Sequence, residues 1–130
     1  MSQNSPHILC VNPWIHDFAA FDFWAKPLGL LQLTAIMREH GIRVTFLDCL
    51  DRFHPKAIQE KRVKTLNDGR GPFRKRAIPL PESLESAVKR FSSAKNFSRY
   101  GIEPDWFRQD LGNLATAKKD NSDRERERER

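Results

Sequence analysis

The sequence predicts an α/β fold: one strand–helix–strand unit of an incomplete parallel sheet, followed by a basic, mostly irregular and helical excursion and a disordered tail. Two observations carry this. A short apolar run, "HILCVN", and a β-branched, aromatic run, "RVTFLDCL", flank a segment whose apolar residues recur at helical spacing. The charge is also divided: residues 1–52 hold four Lys/Arg and five Asp/Glu, and residues 53–130 hold nineteen and twelve, so the +6 net charge belongs wholly to the second part.

The first strand is His7–Asn12, six residues between Pro6 and Pro13, too short for a helix. A helix starts at Pro27, where the fixed φ suits the first turn. It carries Leu28, Leu30, Leu31, Leu33, Ile36 and Met37, and ends at Gly41, which supplies the left-handed residue of a Schellman cap with Ile42 packing on Met37. Arg43–Leu50 is the second strand, with Val44 and Phe46 on one face. Such a unit makes its two strands parallel neighbours. Two strands and one helix leave surfaces of a parallel sheet uncovered, so the unit is expected to be the start of a larger doubly wound sheet.

Beyond Asp51 the periodicity weakens. We expect a short helix near Ala57–Leu66, basic irregular chain around "DGRGPF" and "IPLP", a short amphipathic helix carrying Pro81, Leu84, Val88 and Phe91, and another carrying Pro104, Phe107 and Leu111 that ends at Gly112. The closing "DRERERERER" is low complexity and reads as disordered; alternating Arg and Glu cannot build a core, and an uninterrupted AG dinucleotide repeat can encode such an alternation. The boundaries are therefore 7–52 for the strand–helix–strand unit, 53–117 for the basic insertion with short helices, and 118–130 for the tail.

Composition excludes several function classes. With 38% hydrophobic residues and a mean hydropathy of −0.68, the chain has no apolar run of membrane-spanning length, and "MSQNSPHILC" lacks the basic and apolar regions of a signal peptide, so a cytoplasmic location without a membrane partner is expected. Cys10 and Cys49 stand alone, with neither a CxxC nor a Cys/His cluster, and read as reduced, half-buried strand residues. The basic residues of the second part are interrupted by acids and prolines and fall on no single helical face. They read as solvated surface, with nucleic acid an unlikely partner; a small basic nucleic-acid-binding or interaction module is the alternative function.

The candidate site is the connection "VNPWIHDFAAFDFWAKPLGLL". In open parallel sheets ligands bind beyond the carboxyl ends of the strands, and this connection leaves that edge. Trp14, Phe18, Phe21, Phe23 and Trp24 are placed to wall a pocket for a large flat ligand, or to pack as an ordered lid. Asn12, Asp17, Asp22 and Lys26 are the polar contacts, Gly29 gives close approach at the helix start, and Asp48, Cys49 and Asp51 share the side. Fourteen residues are long for such a connection, and loops of that length are usually functional. Other motifs are weaker. "PLGLLQL" has no phosphate-loop spacing, and His16 with Asp17 lacks a nucleophile in context. His40 complements a helix dipole and His54 reads as a loop residue. "DGRGPFRKR" offers Arg70, Arg74, Lys75 and Arg76 to a phosphate, or simply forms an exposed basic loop.

The stretch Ile8–Arg52 resembles the N-terminal region of radical SAM proteins that carry a cobalamin-binding-like domain ahead of the catalytic barrel. The similarity lies in "VNP", "DFAAFDFWAKPLGLL", the helix end Met37–Gly41 and "DCLDR", and extends more weakly through "GRGPF", "IPLP", "SRYGI" and "FRQDL". It implies a Rossmann-like domain whose strand ends face a corrin or the neighbouring SAM barrel. For a corrin, Phe21 and Trp24 would meet the ring face, and Asn12, Asp22 and Lys26 the amide arms. The DxHxxG motif is missing, so no histidine would reach cobalt. The chain also lacks the CxxxCxxC that holds a four-iron four-sulfur cluster, so SAM and the cluster would belong to another part of the parent protein and this chain alone would be catalytically inactive. Where the resemblance leads one to expect a third strand after "LGNLA", "TAKKDNSDRERERER" stands instead, and the expected account is a truncated or frameshifted piece of a larger enzyme whose missing barrel is its partner.

Overall fold

The computed structural model describes residues 6–21, 26–88 and 96–128, with side chains up to residue 117. Nine elements follow in order: β1 (His7–Asn12), β2 (Ile15–Asp17), α1 (Leu28–Glu39), β3 (Arg43–Asp48), α2 (Pro55–Gln59), β4 (Lys75–Ala77), α3 (Glu82–Val88), β5 (Ser98–Tyr100) and α4 (Pro104–Arg128). They form a mixed α/β structure with two small sheets and no closed barrel. β1 and β3 pair in parallel, from His7 opposite Arg43 to Asn12 opposite Asp48, and β2, β5 and β4 form an antiparallel sheet in that order.

The strand–helix–strand unit forms where the sequence predicts it, with its second strand ending at Asp48, two residues before the expected Leu50. Gly41, at φ 77°, donates its N–H to the Arg38 carbonyl at 3.0 Å, and the Ile42 N–H reaches the Met37 carbonyl at 3.0 Å, the two bonds of a Schellman cap. α1 packs against both parallel strands, and its covered stripe is Leu30, Thr34 and Met37, spaced for one helical face. Thr34 is buried because its hydroxyl is satisfied within the helix, donating to the Leu30 carbonyl at 2.8 Å. On the sheet, the cross-strand neighbours Leu9 and Thr45 line a small cavity with Leu111 and Leu114 of α4, and Val11 packs into a cluster with Trp106 and Phe107. Among the described residues, no helix is long and apolar enough to cross a membrane.

The rest of the chain departs from expectation in four ways. The fourteen-residue connection contains a strand, β2, because its "IHD" edge pairs with β5, an element 81 or more positions away that no local pattern announces. The basic excursion likewise contributes β4 and β5 rather than irregular chain. The helix expected at Ala57–Leu66 begins at Pro55 and stops at Gln59, where Lys61 adopts φ 53° and turns the chain away. Finally, α4 runs through Gly112 and the Arg–Glu repeat to Arg128 instead of ending at the glycine and giving way to disorder. A glycine stops a helix only where the chain must turn left-handed; within a helix it costs about 1 kcal/mol, which the packing of Phe107, Leu111 and Leu114 offsets, and Arg and Glu are both good helix formers. The α3 helix forms as expected but buries none of its residues, and Phe91, expected on its apolar face, lies outside the described residues.

Candidate functional site

The two parallel strands end side by side, and the chain covers their carboxyl edge itself. Asn12 Nδ2 donates to Asp48 Oδ1 at 2.8 Å, the same oxygen accepts the Leu50 N–H at 2.9 Å, and the Asn12 carbonyl accepts the Cys49 N–H at 2.9 Å. The Cys49 carbonyl then accepts the Ile102 N–H at 2.8 Å, and the Ile102 carbonyl accepts Trp14 Nε1 at 2.8 Å. Cys49, Ala57, Ile102 and Trp106 form a buried cluster there, with Trp14 edge-on to Phe107 at 5.1 Å. Gly101 makes the approach possible: it sits at φ 125°, and a Cβ on it would run into the Cys49 carbonyl.

This arrangement brings together four of the residues named from sequence: Asn12 and Asp48, which turn toward each other, and Cys49 and Trp14, which are joined through Ile102. Asp17 lies on β2, where Oδ1 accepts the Phe18 N–H at 2.6 Å. Phe21 is 67% exposed, and Lys26 is exposed before α1. Gly29 lies in the first turn of α1 with no protein atom within 4 Å of a Cβ built on it, so no packing calls for glycine there. Asp22, Phe23 and Trp24 lie outside the described residues. Of the aromatic stretch, Trp14 and Phe18 are packing residues. Phe18 stands edge-on to Phe97 at 5.2 Å, and its carbonyl accepts the Tyr100 hydroxyl at 3.1 Å. Among the described residues, Gly101–Ile102 and Trp14 occupy the carboxyl edge of β1 and β3.

A second constellation, not foreseen from sequence, gathers around Trp106. His54 begins α2 ahead of Pro55 and caps it, Nδ1 accepting the Lys56 N–H at 3.2 Å. That fixes the tautomer: Nε2 carries the proton and donates to Asp110 Oδ2 at 3.0 Å. The imidazole is buried and stacked on Trp106, 5.1 Å between ring centres. With both nitrogens engaged it holds α2 against α4 and leaves no free atom for chemistry. The Arg74 guanidinium lies 4.8 Å from the centre of the Trp106 ring, bonded to Glu60 at 2.6 Å and to Glu103 at 3.0 Å. Glu103 also takes Arg76 at 3.2 Å and Arg99 at 3.4 Å. Burial pushes the Glu103 carboxyl up, but hydrogen bonds from Arg74 and Arg76 outweigh it and leave the group below the ordinary carboxylate range.

These residues edge a cavity of about 350 Å³, with Arg52, Arg62, Arg74, Lys75 and Arg76 around it and Phe73 and Val63 in its wall. Arg52 is buried and ties the following loop to the end of β3, donating to the Gly69 carbonyl at 3.1 Å and the Lys64 carbonyl at 2.6 Å. Arg70 turns instead to Asp68, so the phosphate grouping read from "DGRGPFRKR" holds for Arg74, Lys75 and Arg76 but not for Arg70. The His54–Pro55 pair was the one local signal for this region, a capping residue followed by proline in the first turn. Trp106 meets His54 and Arg74 across at least 32 positions of chain, where no local pattern reaches.

A smaller cavity of about 330 Å³ lies beside His54, lined by Asp48, Asp51 and Asp110 among others; among the described residues no group of His, Cys, Asp and Glu is arranged to hold a metal ion. Cys10 and Cys49 are free thiols, both buried rather than half-buried, and Cys49 lies just beyond β3. Burial, aided by the Asp48 charge, pushes the Cys49 thiol up to about 11 from an ordinary 9.0. The folded chain then keeps this proton where the unfolded chain has released it. Its contribution is fully present below pH 9 and is lost as pH rises to about 11. Urea midpoints should decline across that window and decline less in Cys49→Ala; parallel declines would assign the effect to other groups.

No protein-family model, curated protein or solved structure matches the chain.

Proposed function

We propose that this chain is a non-catalytic α/β module that works by docking onto further structure, in the manner of the N-terminal region of a radical SAM protein that packs beside its catalytic barrel. One observation carries the docking reading. Outside its covered stripe α1 carries four further large apolar side chains, Leu28, Leu31, Leu33 and Ile36, and these are 72%, 42%, 57% and 50% exposed. That much exposed apolar surface on one helix marks a face that other structure covers. The parallel sheet beneath it has two strands, and among the described residues β1 and β3 each pair on one side only. Open strand edges below an uncovered apolar helix suit additional parallel strands with their own helix, and that is the occupant we assign to this surface. The radical SAM parent rests on the resemblance of Ile8–Arg52, and within that reading the aromatic connection serves packing and docking in place of a corrin.

The test is the chain in isolation. It should self-associate at micromolar concentration, bind a hydrophobic dye and unfold over a broad denaturant range with a small m-value. The double substitution Leu33→Gln and Ile36→Gln should suppress dye binding and association, with stability changed by no more than about 0.5 kcal/mol, as expected for exposed sites. A monomeric wild type with a sharp two-state transition and no dye binding rejects the proposal. After mixing with hydroxocobalamin and desalting, no corrin absorbance should remain; retention that is lost on Trp24→Ala would restore the cobalamin reading.

A further inference from the structure

We infer that the cavity between α2, β4 and the start of α4 binds a small organic molecule bearing a phosphate group. The argument is independent of the docking surface on α1. Five cationic side chains from three separate stretches of chain, Arg52, Arg62, Arg74, Lys75 and Arg76, converge on about 350 Å³. The carboxylates that meet them, Glu60 and Glu103, are fewer, and Glu103 is already shared by Arg74, Arg76 and Arg99. Among the described residues neither Arg62 nor Lys75 has an ion pair, and both are exposed at the mouth, so their donors remain for a ligand. An excess of positive charge gathered in a concavity raises the local concentration of anions and forms charge-assisted hydrogen bonds with them.

The cavity is built in advance. Arg74 is held by two carboxylates and the Trp106 ring, and Arg52 by the loop carbonyls, so ordering these groups on binding costs little. One wall is apolar, made by Val63, Pro72 and Phe73, which gives an organic moiety a surface that a bare inorganic anion would leave unused. A nucleic acid strand would ask for an extended basic track with stacking aromatics. Here the cations close on a pocket, and the nearby Arg70 is turned to Asp68.

Phenyl phosphate and inorganic phosphate are the probes, titrated into the intact chain at about 50 mM salt, where electrostatic binding is strong, with amide shifts of Lys75 and Arg76 as the readout. Phenyl phosphate should bind more tightly than inorganic phosphate. The double substitution Arg62→Ala and Lys75→Ala should weaken it about tenfold while leaving the thermal midpoint unchanged, since both side chains are exposed. Unperturbed amides, or equal affinity in wild type and variant, overturn the inference. So does tighter binding of a single-stranded oligonucleotide of about 12 residues than of either probe, which would make the face a nucleic-acid surface.

Discussion

Gly101→Ala should remove a large share of the chain's stability. At φ 125° the backbone is in a region that side chains with a Cβ rarely adopt, and the added methyl would meet the Cys49 carbonyl, a backbone group that is itself bonded to the Ile102 N–H. Neither partner can give way separately: the Gly101 N–H donates to the Arg74 carbonyl at 2.8 Å, so moving residue 101 also pulls on β4. Backbone strain and forced overpacking together cost about 3–5 kcal/mol, a large share of the roughly 5–15 kcal/mol that holds a domain folded, and the melting temperature should fall by about 10–20 °C. Gly112→Ala is the control. It lies within α4 with open space around it, so it should stabilise by about 1 kcal/mol through helix propensity. A Gly101→Ala chain within about 0.5 kcal/mol of wild type would mean that the two sheets are not joined at this point.

Trp106→Ala should be nearly as damaging. The ring stacks on His54, carries the Arg74 guanidinium and belongs to the Cys49, Ala57 and Ile102 cluster, so its loss leaves a cavity and removes support from the cap of α2 and from the arginine–glutamate network together. Truncating a buried tryptophan costs about 3–5 kcal/mol. Trp106→Phe keeps an aromatic face for both neighbours and should recover more than half of that loss in urea denaturation. The rescue separates the stacking role from simple volume: if Trp106→Leu recovers as much as Trp106→Phe, the contacts to His54 and Arg74 contribute nothing beyond filling space. Because Arg74 also edges the basic cavity, Trp106→Phe should leave phosphate binding intact.

Local chemistry was sufficient for one part of the fold. In the first half each instruction lies within a few residues of the structure it produces: proline before α1, glycine after it, and alternating or β-branched runs on either side, so β1, α1, β3, their parallel pairing and the Schellman cap were legible. Asn12 and Asp48 could be placed at the strand ends for the same reason, since strand direction and register follow from the unit itself.

Only the tertiary structure decided what those ends face. β2, β4 and β5 are three residues each, too short to declare themselves by alternation, and they exist because they pair with one another across as many as 85 positions. Their assembly carries Gly101 and Ile102 onto the carboxyl edge of β1 and β3, which turns an aromatic connection with the look of a ligand wall into packing for Trp14 and Phe18. The same pairing brings Arg74 and Arg76 beside Glu103 and Trp106, making a cavity from residues that along the chain look like solvated charge. Burial and charge pairing are set by which distant segments meet, and a one-dimensional pattern of polarity contains that information only where the partners are neighbours in sequence.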